Sequence, residues 1–482
     1  MTDAALMTNA ADLLVIGAGP AGVGAATMAA EHGLDVVLID ENYAAGGQVY
    51  RPMPPGFARR GSPGPDAAIG DAQRELLARS PVRTAFGKLV WSVSQTFRVD
   101  AVGEDGPTHW TAPALIAATG ATERVIPFPG WTEPGVIGLA AATALLKSQQ
   151  MLPGRTTLVA GCGPLLLAVA AGILKAGGRV AAVVDLASPV DWMSTLPALA
   201  SRPDLLARGV GWVTLLKRRG VPVLFRHAII GVRRSAGGLA ATIGPVDAAR
   251  RPISGVLERE LSIDCVAVGH GLVPGTEISR IFRARHRFEH SLGGWIAERD
   301  RTGRTSVGGL YVAGDSGGIL GAAAAFQQGR MTGLAAARDR GRIDPATFDR
   351  LVTPIERSRA RNERFGRAMS GLMAAHLGQA AAIAPETIIC RCEDVTRAEL
   401  DAAIDEGAAT VDQLKAWTRC GMGPCQGRMC GDTAGALMAL RVGDRESAGQ
   451  FTGRPPLRPI PIDLLTGTYD YADIPIPGPA PL

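Results

Sequence analysis

The segment that most restricts the fold is 12–40, DLLVIGAGPAGVGAATMAAEHGLDVVLID. An apolar run of strand type, Leu13 to Ile16, enters the turn GAGPAG. An alanine-rich helical stretch follows, and a second apolar run closes on Asp40. Gly17 permits the tight turn, Gly19 lets the backbone approach a pyrophosphate, and Gly22 lets the helix pack close to the strand. Pro20 and Ala21 open that helix, whose first N–H groups face the phosphates. Asp40 stands about 20 residues on, where a carboxylate accepts hydrogen bonds from a ribose, and Glu41 follows it. Two strands, a turn and a helix in this order predict a dinucleotide site in an α/β domain.

A chain of 482 residues has room for about three domains of roughly 150 residues each. Its 61 glycines and few aromatics suit an α/β protein with many tight turns. The net charge of +5 gives no reason to invoke nucleic acid. No export signal is visible, and the cysteines lack a disulfide-like distribution. Together these predict a reducing, cytoplasmic location. TTLVAGCGPLLLAVAAGIL at 156–174 is apolar over about a membrane's width. Its glycine turn, the lysine after it and the strand beyond predict a buried nucleotide-fold segment instead.

Residues 157–185 repeat the strand–turn–helix–strand plan, so a second nucleotide-type domain is nested in the first. Gly161 and Gly163 keep two of the fingerprint glycines, but Leu166 occupies the place of the third. A leucine there is expected to push helix and strand apart and distort the phosphate cradle. Asp185 is still placed for a ribose and disfavours a 2′-phosphate. The expectation is a retained fold without a working site, with a second bound nucleotide as the alternative. Cys162 and Cys265 form no redox pair, which argues against disulfide reduction. His270, after a strand, is read as structural.

Three later stretches narrow the first ligand: GGQVYR at 46–51, LIAATGA at 115–121 and GGLYVAGDSGG at 308–318. Over about 1–350 the chain resembles the flavoproteins with two dinucleotide-binding domains. The resemblance implies FAD. It places Gly47, Gln48, Arg51, Thr119, Gly120 and Gly314 in the site, with Asp315 on the ribityl chain. The glycine fingerprint reads only the ADP half of the ligand, so NAD or ATP stays open as an alternative.

Five of the seven cysteines fall in IICRCEDVT at 388–396 and TRCGMGPCQGRMC at 418–430, one more than a four-ligand site needs. Thr396 with Glu399 and Thr410 with Gln413 form capping patterns, and Gly407 is a helix stop between them. Two short helices would thus bring the cysteine loops together. Cysteine-only ligation suits an iron–sulfur cluster or zinc. CxC with CxxxxC departs from the paired CxxC knuckles of structural zinc. The segment resembles the bacterioferritin-associated-ferredoxin-like 2Fe–2S module. That resemblance implies Cys390, Cys392, Cys425 and Cys430 as ligands, with Cys420 a neighbouring thiol or stand-in ligand.

From GAGPAG to RPPLRPIP the chain resembles the α subunits of heteromeric opine oxidases, hydroxyproline dehydrogenases and hydrogen cyanide synthase. This implies an electron-transfer subunit carrying FAD and a 2Fe–2S cluster. It also implies an FAD-dependent amine-oxidase-like β subunit, with a small third subunit and an interfacial FMN as further options. The expected division is 1–128 with 275–345 for FAD, 129–274 for the second nucleotide fold and 346–384 for a helical connector. The cluster domain follows at 385–445, then a proline-rich docking arm at 446–482. No catalytic residue is legible. The rival readings are a self-sufficient NADH:acceptor oxidoreductase and a scaffold with structural ATP or NAD.

Overall fold

The computed structural model describes residues 8–57, 64–253, 255–256 and 258–466. The two apolar runs of the fingerprint lie inside a five-stranded parallel sheet. Its order is Leu310–Val312, Leu115–Ala117, Leu13–Ile16, Val36–Asp40, Arg83–Phe86. A parallel sheet is covered on both faces, so its inner strands are apolar throughout instead of alternating. Every residue of Leu13–Ile16 and Val36–Asp40 is buried. Leu13, Val15 and Leu38 face helices Pro20–Glu31 and Ala322–Asp339, while Leu14, Ile16, Val37 and Ile39 face the antiparallel strands Leu89–Val93, Arg98–Gly103 and Gly106–Thr111. The two helices touch because small residues line their contact. A Cβ at Gly329 would fall 1.9 Å from the Ala21 carbonyl oxygen.

The repeat seen in the sequence builds a second parallel sheet, ordered Val136–Gly138, Cys265–Gly269, Thr156–Gly161, Arg179–Asp185, Val223–Phe225. Strands His227–Ser235, Gly238–Pro245 and Arg259–Ile263 back it as an antiparallel layer. The apolar stretch 156–174 is its central strand and helix Pro164–Lys175. No helix among the described residues is long and apolar enough to cross a membrane.

Helix Pro345–Leu372, capped by the Asp344 carboxylate, leads from the flavin-type sheet towards the C-terminal unit. Arg250 holds its far end by donating to the Leu372 and Ala374 carbonyls at 2.9 and 3.0 Å. In the C-terminal unit Thr396 and Glu399 form a reciprocal capping box on Arg397–Asp405, and Thr410 caps Val411–Thr418. Helix Gly431–Val442 then starts directly after Cys430.

One arginine joins all these parts. Arg124 Nε donates to Asp432 at 2.7 Å, and its other nitrogens donate to the carbonyls of Gly293, Met373 and His270 at 2.7, 3.2 and 3.3 Å. Arg445 donates to the other Asp432 oxygen at 2.7 Å. Of the tail expected as an arm, 450–458 packs on the chain itself, with Leu457 buried. Residues 467–482 lie outside the described part.

Candidate functional site

The GAGPAG turn forms as its glycines require. Gly17 has φ +102°, and a Cβ there would sit 2.4 Å from the Ala118 oxygen. A Cβ at Gly22 would fall 1.7 Å from the Gly17 oxygen, so only glycine lets helix and strand meet. Gly19 differs: its Cβ would meet nothing nearer than Gly47 Cα at 3.8 Å, which leaves that face open to a ligand. Above it opens a cavity of 350 Å³ lined by Gly17, Gly19, Pro20, Ala21, Asp40, Glu41, Gly47, Gln48, Thr119, Gly120 and Asp315. An open backbone at a helix N-terminus, with an acid at the end of the neighbouring strand, fits the phosphates and ribose of a dinucleotide.

The other residues expected here support the wall from behind. Gly22 and Gly314 make close packing contacts against Gly17 and Ala21. Arg51 Nη2 donates to Asn42 Oδ1 at 3.0 Å and does not line the cavity. The Asp40 carboxylate accepts from the Ala18 N–H and from both nitrogens of Asn42, which fixes its orientation. Asp315 Oδ1 accepts from the N–H groups of Leu320 and Gly321 at 3.1 and 3.2 Å, and burial raises its pKa.

Glu123, Glu277, Arg428, Leu457 and Arg458 also line the cavity, and sequence reasoning did not place them there. Burial pushes Glu123 up to about 7 despite the Ala140 and Leu139 N–H groups that stabilise its charge. Arg428 belongs to the loop between Cys425 and Cys430. Its Nε pairs with Glu277 at 2.9 Å, Nη1 donates to the Cys425 carbonyl at 3.3 Å, and Nη2 donates to the Leu457 carbonyl at 2.9 Å. One side chain therefore belongs to both the cavity wall and the cysteine loop. The spacing CQGRMC contains it, but spacing alone does not reveal which way it reaches.

The second glycine turn is covered by the chain itself. A Cβ at Gly163 would lie 2.5 Å from Cγ of Met373, from the end of helix Pro345–Leu372. Asp185 is engaged at both oxygens, by the Ala187 N–H and the Trp192 Nε1, each at 2.9 Å, and burial raises it to about 6. Leu166 is fully buried in the core of this domain. The expectation placed the defect at Leu166; the side chain that lies over the turn comes from far along the chain. His270 is buried here too, its pKa lowered to about 3 by desolvation.

The five C-terminal thiols converge. The Sγ atoms of Cys390, Cys420 and Cys430 all lie within 4.8 Å of one another. Cys425 hydrogen-bonds with Cys430 and with Cys392. Cys430 lowers Cys425 to about 5, and Cys420 lowers Cys390 well below a free thiol. Cys420, facing Cys390, is pushed up to about 12. Such crowding of sulfur is relieved when a thiophilic cation replaces the shared protons, so the donor set fits an iron–sulfur cluster. Cys390, Cys420 and Cys430 contact one another, Cys430 also contacts Cys425, and Cys425 contacts Cys392.

The chain belongs to the pyridine nucleotide-disulphide oxidoreductase family, matched over residues 11–329, and carries a BFD-like 2Fe–2S binding domain at 388–439. It is thus a flavoprotein oxidoreductase whose cofactors are FAD and a 2Fe–2S cluster. More narrowly, it is 35% identical to an opine oxidase subunit from Rhizobium meliloti (strain 1021), over 93% of this chain and 97% of that one. To hydrogen cyanide synthase subunit HcnB of Pseudomonas aeruginosa it is 32% identical, over the same shares. The fold is also that of L-proline dehydrogenase from P. horikoshii, with TM-score 0.64 at 20% identity over 95% of this chain and 79% of that one.

Proposed function

We propose that this chain is the electron-transfer subunit of a heteromeric flavin-dependent dehydrogenase or oxidase. The complex acts on an amino acid, an opine or a related secondary amine, and a partner subunit of the FAD-dependent amine-oxidase type oxidises the CH–NH bond. The observation that carries this reading is Arg428, which binds the Cys425–Cys430 loop to the wall of the dinucleotide cavity. In the division proposed, 1–128 with 275–345 holds FAD, 129–274 keeps the nucleotide fold, 346–384 connects and 385–445 holds the cluster.

When bound, FAD accepts electron pairs and the cluster passes single electrons. The chain's own residues hold and shield these groups. The Gly17–Gly22 turn receives the pyrophosphate, Asp40 the ribose and Asp315 the ribityl chain. Cys390, Cys392, Cys425 and Cys430 are the proposed cluster ligands. Arg428 fixes the cluster loop and holds the Leu457 carbonyl, so that buried Leu457 lines the cavity beside it.

The names of the relatives, each a subunit of a larger enzyme, support a partner. So does helix Pro189–Leu199, which exposes Val190, Met193 and Leu196 at every third position, an apolar stripe of the kind that marks protein contact. A small third subunit and an interfacial FMN remain part of the proposal. A cytoplasmic location belongs to it as well, in keeping with seven free cysteines. Against the NADH-driven alternative stand Met373 over the second turn and an Asp185 with both oxygens engaged.

The test is anaerobic purification with co-purifying chains, then identification of cofactors and polypeptides by absorption and mass spectrometry. FAD, iron and an amine-oxidase-like partner are expected. A lone chain whose flavin is bleached by NADH would establish the rival reductase; ATP or NAD without FAD would establish the scaffold.

A further inference from the structure

Residues 450–458 run as one strap across both cofactor regions. At one end Phe451 is buried against the glycines of the cysteine loop. A Cβ at Gly421 or Gly427 would lie 2.7 Å from its ring, and one at Gly431 3.2 Å. Lys415 covers the same ring at 5.4 Å, and the Phe451 carbonyl accepts from Arg280 Nη1. Thr452 is fixed by Asp412, which accepts from its N–H at 3.0 Å and from its hydroxyl at 2.5 Å.

At the other end the strap enters the dinucleotide cavity. The Leu457 N–H donates to the Trp91 carbonyl at 2.6 Å, Gln426 Nε2 donates to the Pro456 carbonyl at 2.5 Å, and Leu457 and Arg458 line the cavity. Arg458 pairs with Glu41 at 3.4 Å. Asp40, next to Glu41, occupies the ribose-binding place at the end of the second strand. The Arg458 end of the strap therefore lies at the adenosine end of the site.

We propose that this strap is part of the dinucleotide site: Leu457 and Arg458 close its adenosine end, and Phe451, seated in the cysteine loop, holds them there. Binding of the nucleotide and integrity of the cluster loop are then linked, and by reciprocity each favours the other. The run RPPLRPIP contains both Leu457 and Arg458, but nothing in it points to the glycine turn, which lies far away in sequence. The proposal rests on an adenosine-containing nucleotide occupying the cavity, which the functional reading takes to be FAD.

The experiment uses the purified full-length holo-protein. The extracted nucleotide is identified first. Its release after dilution is then timed for the parent, for Arg458→Ala, for Phe451→Ala and for the parent treated with an iron chelator, with iron content and melting temperature recorded alongside. Arg458 lies at the cavity rim, so Arg458→Ala should fold and keep its iron while releasing nucleotide about tenfold faster, the value of one charged hydrogen bond. Phe451→Ala and chelation should speed release as well. Release within twofold of the parent in Arg458→Ala overturns the assignment of the strap to the site. Release at the parent rate after iron removal overturns the linkage. If the nucleotide proves to be ATP or NAD, the flavin reading fails separately. The strap is then judged on the release of that nucleotide, since all three share the adenosine.

Discussion

Replacing Asp432 with alanine should detach the cluster module from the flavin-type domains. The carboxylate accepts from Arg124 and Arg445 at 2.7 Å each, and all three side chains are at most 13% exposed. Burial alone would raise its pKa, but the two guanidinium groups outweigh that and hold it well below the usual carboxylate range. Removing one member of a buried charge cluster costs about 3–5 kcal/mol, because the remaining charge stays buried without its partner. Arg124 would keep its three carbonyl acceptors, and Arg445 would keep the Phe288 ring at 4.6 Å. These remaining contacts place the expected loss at the lower end, about 3 kcal/mol. Every 1.4 kcal/mol is a factor of ten, so amide hydrogen exchange in helix Gly431–Val442 should quicken about 100-fold. Exchange in the sheet around Leu13–Ile16 should change far less. Arg124→Met added to Asp432→Leu should not recover the loss, since Arg445 stays buried without its carboxylate and the carbonyls of Gly293, Met373 and His270 lose their donor. A loss below about 1 kcal/mol, or uniform quickening across the chain, would refute the idea that this cluster is the clasp between the units.

Three further outcomes can be measured, the first of them testing the ligand set that the resemblance implies. Cys425→Ser and Cys392→Ser should abolish iron retention, whereas Cys420→Ser should keep the iron and alter the electron paramagnetic resonance spectrum of the reduced cluster; loss of iron from Cys420→Ser would make it a ligand. Asp185 is raised from 3.8 to about 6, so in that window the folded chain holds the extra proton and stability falls as pH rises. Asp185→Asn should flatten the slope of the melting temperature between about pH 4 and 6, and an unchanged slope would count against the burial argument. Gly163→Ala should lower stability by about 1–3 kcal/mol, from its φ of +91° and the Met373 contact, and Met373→Ala should relieve only the contact part when melting curves are compared.

The fold was legible because its signals are local. Apolar runs with no alternation, a glycine turn and a helix of small residues leave few structures besides a parallel sheet with a close-packed helix. The caps at Thr396 and Thr410 were equally readable, since each partner stands three residues away. Residues from the glycine turn, and Asp40, Thr119 and Asp315, lie at one cavity for the same reason: each stands at or just past the end of a strand of one sheet.

Arg51 shows the limit of that reasoning, since its motif placed it near the site but its side chain turns to Asn42. The sequence alone determined two nucleotide-type folds, one intact glycine fingerprint and a cysteine-rich end. Only the tertiary structure decided that Met373 covers the second turn, that Cys420 sits among the other thiols, and that Arg428 and Arg458 reach the first cavity. Apart from the thiols, these contacts join segments far apart in the chain, and local propensity cannot fix them. Arg428 reaches Glu277 and the Cys425 and Leu457 carbonyls because a charge drawn from water must be met by partners wherever the fold supplies them.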